Sequence, residues 1–256
     1  MPFLGSLEVS AQSVTADFSL PLPNQRVELT PSFSPVILRG MKVIPEDPFR
    51  FDFIVERGDS SLNSKEFKKE STRLIRYFLS ALTIPEEDLW VNLSPYEKDR
   101  IIPDDLSKTE MGRDLLSQDY LLKQLTASLM YPESSVGKEF WERVYRKARE
   151  SFGTTEIPVN TFHKVWIIPD RAKIYENGEN VFIVGGHLKV MLEQDYLAEA
   201  AQNISKEDKL STDIVRKIVL PAIEQEVNEG KHFERLRQIY HAMILATWFK
   251  RNLKKS

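Results

Sequence analysis

Between Ser107 and Met130 the chain carries a helical pattern that is apolar on almost every side, and such a helix must be surrounded by other elements. At about 100° per residue, Leu115, Leu122 and Leu129 fall on one side, Leu116, Tyr120 and Ala127 on another, and Leu121 and Leu125 on a third. Ser107 and Glu110 form an S-x-x-E capping box at its start, and Tyr131 and Pro132 close it. This segment is therefore expected at the centre of the fold.

The flanking segments define what could surround it. Residues 1–60 read as strands: short apolar clusters at Val27 to Leu29, Val36 to Leu38, Met41 to Ile44 and Phe51 to Val55 are separated by Pro and Gly. Phe49, Phe51 and Phe53 alternate with Arg50 and Asp52, as in a half-buried strand. Ser64 to Leu82 switches to helical spacing, with Phe67, Leu74, Ile75, Phe78, Leu79 and Leu82 apolar and a solvated face of Lys, Arg and Glu. Trp90 to Leu93 is a short strand candidate, and Gly137 to Ser151 a helix.

Residues 162–190 return to strands, FHKVWII, RAKIYE and NVFIVGGHLKV, the last two joined by Asn177 and Gly178, a pair favoured in tight hairpin turns. Gly185 and Gly186 read as a bulge or bend before His187. Two helices follow, about 212–228 and 231–254, with Gly230 as a C-cap between them. Pro221 kinks the first or splits off its beginning.

Strands, helices, strands and helices without regular βαβ alternation give an α+β class: small antiparallel sheets or hairpins packed with about five to six α-helices around a central buried helix. The expected organisation is one globular domain over 1–256, with a β-rich part at 1–60, a helical part with a short strand at 61–155, a hairpin region at 160–192 and C-terminal helices at 193–256. A chain of 256 residues, 41% hydrophobic, can bury roughly 70% or more of its unfolded surface in such a core.

Composition narrows the functions available. With 35 basic and 38 acidic residues the net charge is −3, so no global field favours nucleic acid or an anionic membrane. No stretch reaches ~18 apolar residues, so no spanning helix is expected. Met1 to Phe18 lacks the basic and apolar regions of a signal peptide, which makes a cytoplasmic location the default expectation. The absence of Cys removes thiolate nucleophiles, thiolate zinc sites and iron–sulfur clusters.

Motif searches are equally restrictive. His163, His187, His232 and His241 form no H-x-x-x-H pair, there is no phosphate-binding glycine signature around Gly185 and Gly186, and no G-x-S-x-G elbow occurs. No metal or other cofactor is expected.

The polar residues that remain conspicuous lie in and before the mid-chain helix. Asp119 and Lys123 are spaced i,i+4 with the acid first, the favourable order for a helical ion pair. Glu110, Arg113 and Asp114 sit on its first turns, and Tyr96, Lys98, Asp99 and Arg100 precede it. Carboxylates, an arginine and a tyrosine could supply an acid, a base and an anion clamp. The same residues could equally complement the helix dipole and tie down the connection.

This region, with its NLSPYEKDRIIP and GRDLLSQDYLLKQLTASLMYPE blocks, resembles a family of uncharacterised bacterial open reading frames, and KHFERLRQIYHAMILATWFK extends the resemblance to the C-terminal helix. The resemblance implies a bacterial source and singles out Tyr96, Asp99, Arg100, Glu110, Arg113, Asp114, Asp119 and Lys123 as the site to test. It assigns them no roles. The expectation is a non-catalytic binding or structural module of a larger protein or assembly, with a protein partner or a second copy of itself. The alternative is a hydrolase-like enzyme built on the acidic and arginine cluster at 96–123.

Overall fold

A computed structural model describes residues 29–44, 46–84, 104–130, 142, 145–146, 149–150, 153, 165–193, 195 and 215–253. Its architecture is α+β: one four-stranded antiparallel sheet packed against helices. The strands are β1 (Ile37–Ile44), β2 (Asp47–Glu56), β3 (Val165–Asn177) and β4 (Asn180–Leu192), in the spatial order β2-β1-β4-β3. Two sequence-local pairs thus meet at a seam of three residue pairs, Gly40 with Phe182, Met41 with Val181 and Lys42 with Asn180.

The strand chemistry explains this sheet. In β2, Phe51, Phe53 and Val55 turn inward against the core while Asp52 and Ile54 face away. The β3–β4 turn is centred on Gly178 and Glu179, one position later than the Asn-Gly pair suggests, and Gly178 takes the positive φ of 59° that glycine tolerates best. The segments WII and RAKIYE are one strand rather than two. Pro169 is accommodated because β3 lies at the sheet edge, and Asp170 is the extra residue of a bulge between Pro169 and Arg171. A second bulge, at Val184 beside Gly185, meets the expectation of an irregularity at the glycines.

The helices are α1 (Ser64–Thr83), the short α2 (Asp104–Ser107), α3 (Glu110–Met130), α4 (Leu220–Glu229) and α5 (Glu234–Leu253). Asn63 caps α1, accepting from the Lys65 and Glu66 amides while Glu66 reaches back to the Asn63 amide. Pro221 falls in the first turn of α4, after a π-helical turn at Val215–Val219, so the expected 212–228 helix has its beginning split off. Gly230 ends α4 in extended backbone rather than a left-handed cap. A Cβ there would overlap the Glu226 carboxylate, which accepts from Thr30 N at 2.7 Å and Thr30 Oγ1 at 2.6 Å.

Two expectations about the mid-chain helix change. Its cap is Thr109, whose Oγ1 accepts from Gly112 N at 3.0 Å, because Ser107 closes α2 instead. Nor is α3 the fully enclosed rod: Met111, Leu115, Leu121, Leu122 and Leu125 are buried, but Arg113, Leu116 and Lys123 are exposed. The helix that occupies the centre is α5, buried at Leu236, from Gln238 to Ala242, from Ile244 to Ala246 and at Phe249, and packed on α1, α3, α4, β1 and β4. Periodicity reports which faces are apolar but not which neighbours are present, and at Leu116 an apolar side faces water.

Around α5 the core closes through an aromatic cluster in which Phe249 meets Phe51 edge-on, centroids 4.9 Å apart, and Phe78 meets Phe53 at 5.0 Å. On the opposite side of the sheet, Ile54, Gly40, Phe182 and Tyr175 form one cross-strand row. Ile54 and Tyr175 in that row are exposed. No described helix is long and apolar enough to cross a membrane. The strand expected at Trp90 to Leu93 and most of the helix expected at 137–151 lie outside the described residues.

Candidate functional site

Two members of the mid-chain polar set, Glu110 and Asp114, are joined to another helix rather than to each other. Glu110, in the first turn of α3, accepts from Arg73 Nε at 2.9 Å and Arg76 Nε at 2.7 Å, both on α1. Asp114, one turn later, accepts from the hydroxyl of Tyr77, again on α1. The network continues from Arg73 to Glu70 at 3.2 Å and from Glu70 to Arg235 and Gln238 on α5, the Gln238 contact being 3.0 Å. Gln238 Nε2 also donates to the Val36 carbonyl at 2.8 Å, so the network reaches the residue before β1. Three helices are thus braced by one chain of charge-assisted bonds, which a neutral bond from Gln238 extends to the residue before β1.

Burial gives this brace its electrostatic character. The Arg73, Glu70 and Arg235 side chains are only 12%, 13% and 16% exposed, so each charge has lost most of its water and depends on its partners. Burial pushes the Glu110 carboxyl up, but the bonds and charges of Arg76 and Arg73 outweigh it and hold the group below its ordinary value. Burial has the reverse outcome at Asp114, where it outweighs the Tyr77 bond and the nearby arginines and leaves the carboxyl raised. The Tyr77 phenol is pushed up as well, by burial and by the facing Asp114. A phenol held protonated is the donor that such a carboxylate requires.

Asp119 and Lys123 form the expected i,i+4 pair, with Asp119 buried and Lys123 reaching the surface. Burial raises the Asp119 carboxyl despite the lysine, so this pair compensates only partly for desolvation. Arg113 is exposed and takes no part in the brace. Tyr96, Asp99 and Arg100 lie outside the described residues. None of Glu110, Arg113, Asp114, Asp119 and Lys123 lines either of the two cavities described next.

The larger cavity, about 420 Å³, is a groove between β3 and α5. Its β3 wall presents Ala172, Ile174 and Glu176, alternate residues of the strand. Its α5 wall presents Tyr240, Ile244 and Trp248 at i,i+4 spacing, with Met243 and Thr247 between them. The walls are tied at both ends: the Tyr240 hydroxyl donates to the Arg171 carbonyl at 3.1 Å, and Trp248 Nε1 donates to Glu176 Oε1 at 2.6 Å. Burial, with the negative charge of Asp170, pushes the Tyr240 phenol up to about 12. Gly186 makes room for that ring, since a Cβ would lie 3.1 Å from Tyr240 Cε1.

At the Tyr240 end, the bulged Asp170 accepts from Arg171 Nε at 2.9 Å and meets His187 Nδ1 at 3.1 Å, while His187 Nε2 lies 3.5 Å from Glu224 Oε1. The two carboxylates meet opposite nitrogens of the ring, so the three side chains do not converge on one point. Among the described residues no group of three or more His, Asp or Glu side chains is arranged to hold a metal ion. His241 is buried inside α5, where desolvation drives it down to about 4 against the opposing effect of its contact with the Leu38 carbonyl at 3.3 Å.

The smaller cavity, about 260 Å³, opens beside the brace and is lined by Phe33, Asp59, Glu70, Lys231, Glu234 and Arg235 among others. Burial raises the Glu234 carboxyl, with Glu70 adding to the effect and Arg235 opposing it.

Sequence reasoning named the acids of α3 but not their partners Arg73, Arg76 and Tyr77, nor Arg235 and Gln238, which meet Glu70 on α1. The available signal was polar residues on otherwise inward-facing helix positions, such as Gln238 beside Ile239. Of the two tryptophans in these elements, Trp166 is buried, whereas Trp248 is half-buried along the groove. No family model, curated protein or solved structure matches this chain.

Proposed function

We propose that this chain is a non-catalytic binding module, acting within a larger assembly or longer polypeptide, and that its receptive surface is the groove between β3 and α5. One observation carries the reading: a concave, mostly apolar channel with polar groups at its ends runs between a sheet edge and the central helix. Its volume falls within the ~300–1,000 Å³ of ordinary ligand sites, and its lining matches their usual chemistry. The engagement of Glu110 and Asp114 in interhelical bonds agrees with it, because carboxylates paired with arginine and tyrosine inside the packing are not available as acid and base. A bacterial source, implied by the resemblance of the central blocks, belongs to the same proposal.

The test is a fragment screen read by methyl NMR of the full chain, with Met243, Ile174 and Ile244 as reporters. Binding at the groove shifts these signals together, and Thr247→Trp, which fills the channel, abolishes the shifts. A screen in which every hit moves methyls elsewhere and leaves these three still would reject the groove as the receptive surface.

A further inference from the structure

We propose that β3 accepts an additional strand: an extended polypeptide, apolar at alternate positions and with a basic residue opposite Glu176, pairs along the side away from β4 and lays every second side chain in the groove. This names the partner class for the binding-module reading and rests on it.

Three features of the molecule lead there. First, β3 is an edge of the sheet, and among the described residues it pairs only with β4. An edge strand presents a row of backbone donors and acceptors to any chain that can lie alongside it. Asp170 to Asn177, eight consecutive residues, are exposed. At about 3.4 Å per residue they offer an edge roughly 27 Å long. Pro169 and the Asp170 bulge, which would obstruct pairing, stand at one end of this stretch and leave the rest regular in outline.

Second, the groove has the periodicity of a strand. Ala172, Ile174 and Glu176 form its β3 wall, while Arg171, Lys173 and Tyr175 do not line it. A strand added to β3 would place its own alternate side chains beside Ala172, Ile174 and Glu176 and against the facing α5 residues Met243, Ile244 and Trp248. Backbone pairing would then supply affinity, and the groove side-chain specificity.

Third, the charge at the groove's rim selects the partner's sign. Glu176 receives the neutral indole N–H of Trp248, so its carboxylate is met by a dipole rather than by a cation. Asp170, at the other end, is already met by Arg171 and His187. Among the described residues Glu176 is thus a groove carboxylate with no cation in contact, although Arg251 lines the same cavity, and this fits an incoming lysine or arginine at Glu176 and apolar residues next to Ile174 and Ala172.

The experiment uses the full chain and three fluorescein-labelled synthetic peptides. One carries Lys, Val and Val at every second position with Ser and Thr between; the second has Glu for that Lys; the third keeps the first sequence but is N-methylated at alternate backbone nitrogens. Fluorescence anisotropy is expected to show the Lys peptide binding at least tenfold tighter than either of the others. Glu176→Lys should reverse the preference between the first two, and Ala172→Phe should weaken the Lys peptide at least tenfold. Tyr175→Ser, on the other side of the strand, should leave it within twofold.

Equal binding of the N-methylated peptide overturns strand addition, and loss of binding in Tyr175→Ser but not Ala172→Phe moves the partner to the outer sheet face and overturns the groove register. No binding by any peptide overturns the proposal too. If fragments still shift the Met243, Ile174 and Ile244 methyls in that case, the binding-module reading stands and only the strand partner fails. Self-association of the chain that competes with the Lys peptide would make the occupant a second copy and overturn the assignment.

Discussion

Replacing Arg235 by Met tests whether the α1–α3–α5 brace holds the fold together. Methionine keeps most of the aliphatic stem and removes the guanidinium, so packing changes little while Glu70 loses its α5 cation. Breaking a buried pair outright typically costs about 3–5 kcal/mol. Glu70 nevertheless keeps Arg73 at 3.2 Å and Gln238 at 3.0 Å. The expected loss is therefore nearer that of one hydrogen bond to a charged group, about 2 kcal/mol. In a chain of this size that corresponds to a fall in Tm of roughly 4–8 °C.

Differential scanning calorimetry and urea unfolding followed by circular dichroism at pH 7 would measure the loss. Glu70→Gln and the double variant complete a cycle whose coupling is expected at about 1–2 kcal/mol. Because both side chains are largely buried, added salt should recover little of the loss. A fall in Tm below 2 °C, or single-variant losses that simply add, would show that the brace is incidental to stability.

Three further substitutions address single features. Asp119→Asn is expected to leave stability at pH 7 unchanged within ~0.5 kcal/mol or to raise it, because burial makes the ionised carboxylate the costlier form and Lys123 can return to water. Its advantage should shrink as pH falls through the raised carboxyl pKa and the wild type takes up its proton; a clear loss at pH 7 would contradict this. Since the folded-state pKa of His241 is depressed to about 4, stability should fall as pH drops from about 6.5 towards 4, where the unfolded chain binds the proton and the native state does not. This contributes at most about 3 kcal/mol, and His241→Gln should flatten that limb of the urea-measured stability profile. Gly230→Ala should cost at least ~2 kcal/mol by driving the methyl into the Glu226 carboxylate that holds Thr30; a calorimetric loss under 0.5 kcal/mol would mean the corner readjusts.

Much of the element order was legible because it depends on short-range rules. Asn63 with Glu66 marks the start of α1, the alternation Phe51-Asp52-Phe53 marks β2, and Gly178 fixes the hairpin, each through local geometry or period. The acids of α3 were legible as unusual, since polar residues among leucines need an explanation. The partners were not. Arg235 meets Glu70 across 165 residues of chain, and no spacing rule connects positions so far apart.

By itself, then, the sequence determined the α+β class, the positions of the main helices and strands, and the Asp119–Lys123 pair, because each follows from φ/ψ preference or from neighbours within a turn. Tertiary structure alone decided that α5 rather than α3 fills the middle, that Glu110 and Asp114 turn to α1, and that β3 and α5 leave a channel between them. Burial is a property of what packs alongside: two helices with similar apolar content differ in depth only through the surfaces that happen to face them.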